Sequence, residues 1–309
     1  MSDASFSQDG KRLAFLQWSG HSALYVADLH ARGTHITNER HFTGSESAEF
    51  WADWTRDSKS LIFLSNRTGR PGIYRQALDA DSSEVLVGPQ NGLAACCVSA
   101  DGRWLIYRVH EGLPTQPSSA AEEIMRVPVT GGASERIFPV KRLTWWGCAA
   151  APSNLCAIAE STEDRKQAII TAFDPLKGRG SELTRIAIEP NIDWTVALSP
   201  DGKHLAVIRG SGNPLQLLSL KGEVLKEIKI AEWRAAGPIE WATDGKGLFV
   251  PSLTPGGASL LYVSLQGEVH VVRENRGGNY SPGLPSPDGR HIAMVGTATN
   301  SNMWLMENF

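Results

Sequence analysis

One phrase returns seven times along this chain, and its spacing restricts the fold more than any other feature. The phrase is a small or polar residue, Asp-Gly, a basic residue and then an apolar run. Its fullest forms are SPDGKHLAV from Ser199 and SPDGRHIAM from Ser286. Looser copies are SQDGKRLAF from Ser7, TRDSKSLIF from Thr55, SADGRWLIY from Ser99 and ATDGKGLFV from Ala242. A degenerate copy, APSNLCAI from Ala151, lacks the Asp-Gly. The copies are anchored on Asp9, Asp57, Asp101, Ser153, Asp201, Asp244 and Asp288, which puts them 43 to 52 residues apart. A period of ~40–45 residues is that of a four-stranded propeller blade.

The segment from Trp194 to Ile230 shows how one unit should fold. WTVALSP reads as a strand, Asp201-Gly202 as a turn and HLAVIRG as the second strand. Gly210 to Pro214 turns again, LQLLSL is the third strand, and Lys221-Gly222 leads into VLKEIKI. Glycine accepts positive φ and aspartate bonds its own backbone, so these are turns with a mechanism. Short β-branched and apolar runs split by such turns form a meander. A third-strand phrase recurs as well, at ALYVADL from Ala23, IYRQAL from Ile73, IMRVPV from Ile124, LLYVSL from Leu260 and NMWLMENF from Asn302. Long amphipathic helical patterns are absent.

The expectation is an all-β single domain over 1–309, a seven-bladed β-propeller of four-stranded antiparallel blades. The blades fall at about 1–45, 46–89, 90–141, 142–190, 191–232, 233–275 and 276–309. The last stops at the end of its third strand, so it should miss its outer strand and expose the edge Asn302–Phe309. That edge carries Met303, Trp304, Leu305 and Met306, a pairing liability, and suggests a domain cut from a longer protein.

The SPDG phrase followed by an IY-type strand resembles the TolB-like, WD40-like propeller repeat over the whole chain. TAFDPLKGRG from Thr171, ATDGKGLFV and the closing SPDGRHIAMVGTATNSNMWLMENF resemble the C-terminal propellers of bacterial Ser/Thr kinases and winged-helix transcriptional regulators. The resemblance implies a binding, sensing or protein-interaction module of a signalling protein. Kinase motifs and a helix-turn-helix stretch are not present in this chain.

Other function classes find less support. Formal net charge is -3, with charges spread along the chain, so no basic stripe points to nucleic acid. No run of 18 apolar residues suggests membrane insertion. The N-terminus lacks a secretory signature. The compartment stays open: extracytoplasmic (periplasmic) for a membrane-tethered parent, otherwise cytoplasmic. A hydrolase elbow would read G-x-S-x-G, and Gly20-His21-Ser22-Ala23-Leu24 lacks the second glycine. His204 and His291 share a repeat position but form no cluster. Gly178-Arg179-Gly180 lacks the Walker lysine. No catalytic residue, metal or cofactor is expected. The alternative is a small metal-assisted lyase or hydrolase acting at the propeller axis.

Ten tryptophans are many for this length. Trp54 and Trp241 sit three residues before their anchors, a regularity that suits blade-to-blade packing. A second set lies further upstream, where each blade should enter its innermost strand. Glu49, Trp51, Trp145, Trp146, Asp193, Trp194, Arg234 and Tyr280 should therefore gather at one mouth of the channel. There they could hold a protein, peptide or glycan ligand, or simply plug the channel. Cys148 and Cys156 should face each other across an antiparallel pair, either as a disulfide or as two buried thiols. Cys96 should be an inert core thiol.

Overall fold

The computed structural model describes residues 4–9, 11–43, 48–110, 122–230, 233–235, 237–254, 257–275, 278–280 and 283–307. The repeat phrase builds one local device. The Ser199 hydroxyl donates to Asp201 Oδ1 (2.6 Å) and accepts the His204 amide (3.0 Å), while Asp201 accepts the Lys203 amide (3.1 Å). Gly202 takes the left-handed φ of 67° that the turn needs. The same three bonds form at Ser7/Asp9, Thr55/Asp57, Ser99/Asp101 and Ser286/Asp288. Ser58 stands where the others have glycine and adopts φ 62°. The device appears once more at Thr162/Asp164, in a turn between second and third strands that the repeat phrase does not mark.

These turns fold the chain into antiparallel meanders. Glu49–Trp54, Ser60–Ser65, Gly72–Ala77 and Glu84–Val87 make one four-stranded sheet. Leu93–Val98, Trp104–His110, Glu122–Pro128 and Glu135–Val140 make the next. The third is Leu143–Cys148, Cys156–Ser161, Gln167–Asp174 and Gly178–Ala187. The fourth is Trp194–Leu198, His204–Arg209, Leu215–Ser219 and Val224–Ile228. In the fifth, Arg234–Ala235 and Glu240–Trp241 both pair with Gly247–Thr254, followed by Gly257–Ser264 and Val269–Asn275.

Each sheet is buried on both faces. In His204–Arg209, Leu205 and Val207 enter the core shared with the preceding sheet, and Ala206 and Ile208 enter the core shared with the next. One apolar core lies between every neighbouring pair of sheets, and the last joins the 234–275 sheet back to the sheet that precedes Glu49. The result is a closed ring.

Closure departs from expectation. The first and last repeat units do not form separate blades; they share one sheet. Arg12–His30 and His291–Glu307 are continuous strands that pair in unbroken antiparallel register from Arg12↔Glu307 to Asp28↔His291. Leu284–Pro285, the first half of His291–Glu307, the second half of Arg12–His30 and His35–His41 make a four-stranded blade. The described residues thus form six sheets where seven blades were expected. The physical reason is strand continuity: no turn interrupts Arg12–His30 or His291–Glu307, and each strand's backbone groups are satisfied by the other, so neither unit closes its own second hairpin. Each strand runs straight on and takes its hydrogen bonds from the other end of the chain.

The outer halves of these two strands, with Ala4–Phe6, extend beyond the ring as a ribbon. Met303, Trp304, Leu305 and Met306 are exposed there, as expected of an edge, but their pairing partner is the stretch 13–16 rather than their own unit. The residues 308–309 of that edge lie outside the described residues.

Candidate functional site

The innermost strand of every sheet faces the axis. There the six sheets enclose a cavity of about 1350 Å³. Local backbone irregularity shapes its wall. The inner strands carry register shifts between Phe50 and Ala52, between Ala94 and Cys96, and between Leu143 and Trp145. Trp51 and Ala95 sit at two of these bulges with φ of 41° and 44°, a conformation rare for residues other than glycine. Bulges re-aim side chains and gather beside functional sites. Here they present Trp51 to the cavity with 55% of its surface exposed.

The sequence-predicted mouth residues divide. Trp51, Trp145, Trp146, Asp193 and Trp194 all line the cavity, contributed by three different sheets. Glu49 and Arg234 do not. Glu49 is fully buried, accepts from the Thr43 hydroxyl and pairs with Arg67 at 2.9 Å. Burial pushes its carboxyl up, against the pull of Thr43 and Arg67. Arg67 also lies over the Phe63 and Tyr74 rings, so Glu49 anchors a structural cluster. Its strand position was read correctly, but alternation sends its side chain away from the axis. Arg234 is exposed on a two-residue strand and is not part of the cavity wall. The Tyr280 side chain lies outside the described residues; its backbone pairs with Gly296.

Trp54 and Trp241 do join blades. The Trp54 indole donates to the Leu284 carbonyl (2.9 Å) and Trp241 to the Ala197 carbonyl (3.2 Å), each on the inner strand of the preceding sheet. Both also border the cavity. Cys148 stands directly opposite Cys156 in register, and their sulfurs are joined at 1.99 Å. Cys96 and Cys97 are free thiols on the cavity wall. Burial first, then the Asp53 carboxylate, pushes both well above the ordinary thiol range, so neither is a ready thiolate.

The polar groups that sequence reasoning missed are Asp53, Arg56, Arg108 and Glu240, all on the cavity wall. Asp53 accepts the Trp54 and Val98 amides, each at 2.7 Å, and so stitches one inner strand to the next. Arg56 donates to the Val98 and Ser99 carbonyls. Arg108 faces Glu122 at 3.6 Å and lies over the Trp146 ring. Glu240 has no hydrogen-bond partner among the described residues. Burial, and then the charge of Asp53, pushes its carboxyl up to about 8. Its one signal in the sequence is its place beside Trp241, ahead of an anchor aspartate; isolated carboxylates on loops and strands look the same. Among the described residues, no group of three or more His, Cys, Asp or Glu could hold a metal ion.

No family model matches this chain, and no curated protein matches it. Solved structures do. The chain assigned as TolB from Agrobacterium tumefaciens superposes with TM-score 0.63 at 18% identity, over 90% of this chain and 98% of that one. The fold is that of a TolB-like β-propeller. TolB from Acinetobacter baumannii superposes with TM-score 0.59 at 17% identity, and this chain spans 66% of its length while 90% of this chain is matched. The β-propeller domain of the Trilobed protease from Pyrococcus furiosus gives TM-score 0.51 at 11% identity, over 84% of each chain. At such identities the likeness is one of fold, and function has to be argued from the cavity.

Proposed function

We propose that this chain is a non-catalytic binding propeller that admits a peptide, glycan or protein segment into its central cavity. It would serve as the sensor or interaction part of a larger bacterial signalling or regulatory protein. One observation carries the reading: a cavity of about 1350 Å³ whose wall holds Trp51, Trp145, Trp146 and Trp194 beside a few polar groups. Large rigid rings with a minority of placed polar atoms are the usual make-up of a ligand site. The bulges at Trp51 and Ala95 add support, because strained backbone is kept where it positions something.

The test is a thermal-shift and intrinsic-fluorescence screen of peptides and oligosaccharides, repeated on Trp51→Ala and Trp194→Ala. A ligand of the cavity should raise the melting temperature and change tryptophan emission, and each variant should weaken it at least about tenfold, the share of an aromatic anchor. Ligands that bind both variants as well as the parent would place binding elsewhere and defeat the reading.

A further inference from the structure

The cavity wall is unevenly neutralised. Its two guanidinium groups are already engaged, Arg56 by two main-chain carbonyls beside Asp53, and Arg108 by Glu122 and the Trp146 ring. Asp53 is held by two amides. Glu240 is left without a donor among the described residues; it stands two sheets from Asp53 around the ring, and both residues line the same void. Cys97 lies on the same wall: its thiol senses Asp53, Arg56 and Glu240 and touches the Trp146 indole. These residues come from four different sheets and line one cavity. Asp193 adds a further carboxylate on the wall.

A half-buried carboxyl with no donor among the described residues is costly unless something charged or hydrogen-bonding joins it. The void in front of it is lined by four tryptophans and by the carboxyls of Asp53, Asp193 and Glu240. That combination suits a ligand with an apolar stem and a cationic head. We propose that the cavity takes an alkylammonium group, with its head seated at Glu240 and Asp53 and its methylenes against the tryptophan wall. The inference rests on the cavity being a binding site and specifies what it binds. The ammonium could arrive as a lysine side chain of a polypeptide or as a free alkyl amine; the chemistry at the carboxylates is the same.

Proton linkage gives this a signature. The Glu240 carboxyl, raised to about 8 by burial and by Asp53, is mostly protonated at neutral pH. An ammonium ion favours its ionised form, so binding expels a proton. Affinity therefore rises with pH until Glu240 is ionised, by about tenfold between pH 7 and pH 9, while an amine of pKa near 10.4 stays charged.

The experiment is isothermal titration of the intact chain at pH 7 and pH 9 with two probes. One is pentylammonium; the other is a lysine residue capped at both backbone ends. Its Nε-acetylated form is the neutral control. The expected result is binding of at least one ammonium probe, the tenfold gain with pH, proton release at pH 7, and no binding of the acetylated form. The tighter of the two probes identifies the source. Glu240→Gln should weaken binding at least tenfold and abolish the pH dependence. It should also remain folded, since it removes a carboxyl whose ionisation is suppressed by burial. Binding that ignores pH, that survives Glu240→Gln, or that is shared by the acetylated control overturns the proposal. If neither ammonium probe binds but an amine-free ligand does so in a Trp194-dependent way, the inference fails and the binding function stands. If nothing binds at the cavity, both fail.

Discussion

The blade over 194–228 and the sheet that closes the ring are built from the same repeat phrase and end differently. In the first, Ser199 and Asp201 lock one turn, Gly210 and Gly212 take positive φ at the next, and every strand pairs with its sequence neighbour. In the second, Ser286 and Asp288 lock the first turn equally well, but no turn follows His291. The strand continues to Glu307 and pairs with residues near the N-terminus. The comparison teaches that an Asp-Gly device specifies a hairpin one turn at a time. Where no turn follows, the strand accepts a distant partner that satisfies the same backbone groups. The ends of the long register carry side-chain pairs, a hydrogen bond between Asp28 and His291 at 3.1 Å and an ion pair of Arg12 with Glu307 at 2.9 Å, but the latter is well exposed and adds little.

The largest test of this comparison asks whether distant pairing inside the ring bears as much as local pairing. Ile292 and Leu205 are both fully buried second-strand residues. Ile292→Ala and Leu205→Ala should each cost about 2–5 kcal/mol in urea unfolding, the range for cutting a buried aliphatic side chain to alanine. A much smaller cost at Ile292 would mean that the closing sheet is loosely held.

A covalent counterpart exists in the 143–187 sheet, whose copy of the phrase has lost its Asp-Gly. There the Cys148–Cys156 bridge closes a short loop with a sequence separation of 8. A loop of that size should contribute roughly 2–3 kcal/mol, seen as a drop in stability on adding reductant. Thiol titration of denatured, unreduced protein should find only Cys96 and Cys97 free. Four free thiols would show that this turn holds without a bridge.

A smaller effect reads the turn device itself. Asp57 is held below the usual carboxylate range, first by the Thr55 hydroxyl, against some burial and with help from the Lys59 amide. A lowered carboxyl stabilises the fold above the unfolded value near 3.9, and that stability is lost as pH falls through the folded value. Thr55→Ala should cost about 1 kcal/mol at pH 7, the size of a lost hydrogen bond, with the cost shrinking below about pH 3. A cost that stays constant down to pH 2 would trace to packing instead.

The smallest effect belongs to the ribbon. Leu305 is 60% exposed and pairs with Ala14 outside the ring. Leu305→Ala should change stability by less than about 0.5 kcal/mol. A larger loss would mean that the ribbon packs against the body, and the contrast between the two halves of the closing strands would disappear.

Much of the fold was legible because its signals are local. The anchor aspartates, the glycines at positive φ and the alternation of Leu205, Ala206, Val207 and Ile208 each act within a few residues, so a linear reading recovers strands, turns and the two buried faces. The same offset rule placed Trp145, Trp146 and Trp194 on the cavity wall, and put Cys148 opposite Cys156. It failed for Glu49 because an offset locates a residue along a strand, whereas a bulge such as that at Trp51 changes which side the next residue faces.

What the sequence by itself determined is therefore the unit: four antiparallel strands, a hydrogen-bonded Asp turn and a sheet greasy on both sides. How the units close was decided by tertiary structure, because the strands at the two ends compete for partners that are remote in the chain and equivalent in backbone hydrogen bonding. The polar level of the cavity was decided there too. Asp53, Cys97, Trp146 and Glu240 are separated by long stretches of sequence, and only the ring brings them to one axis, where burial and mutual charge set their chemistry.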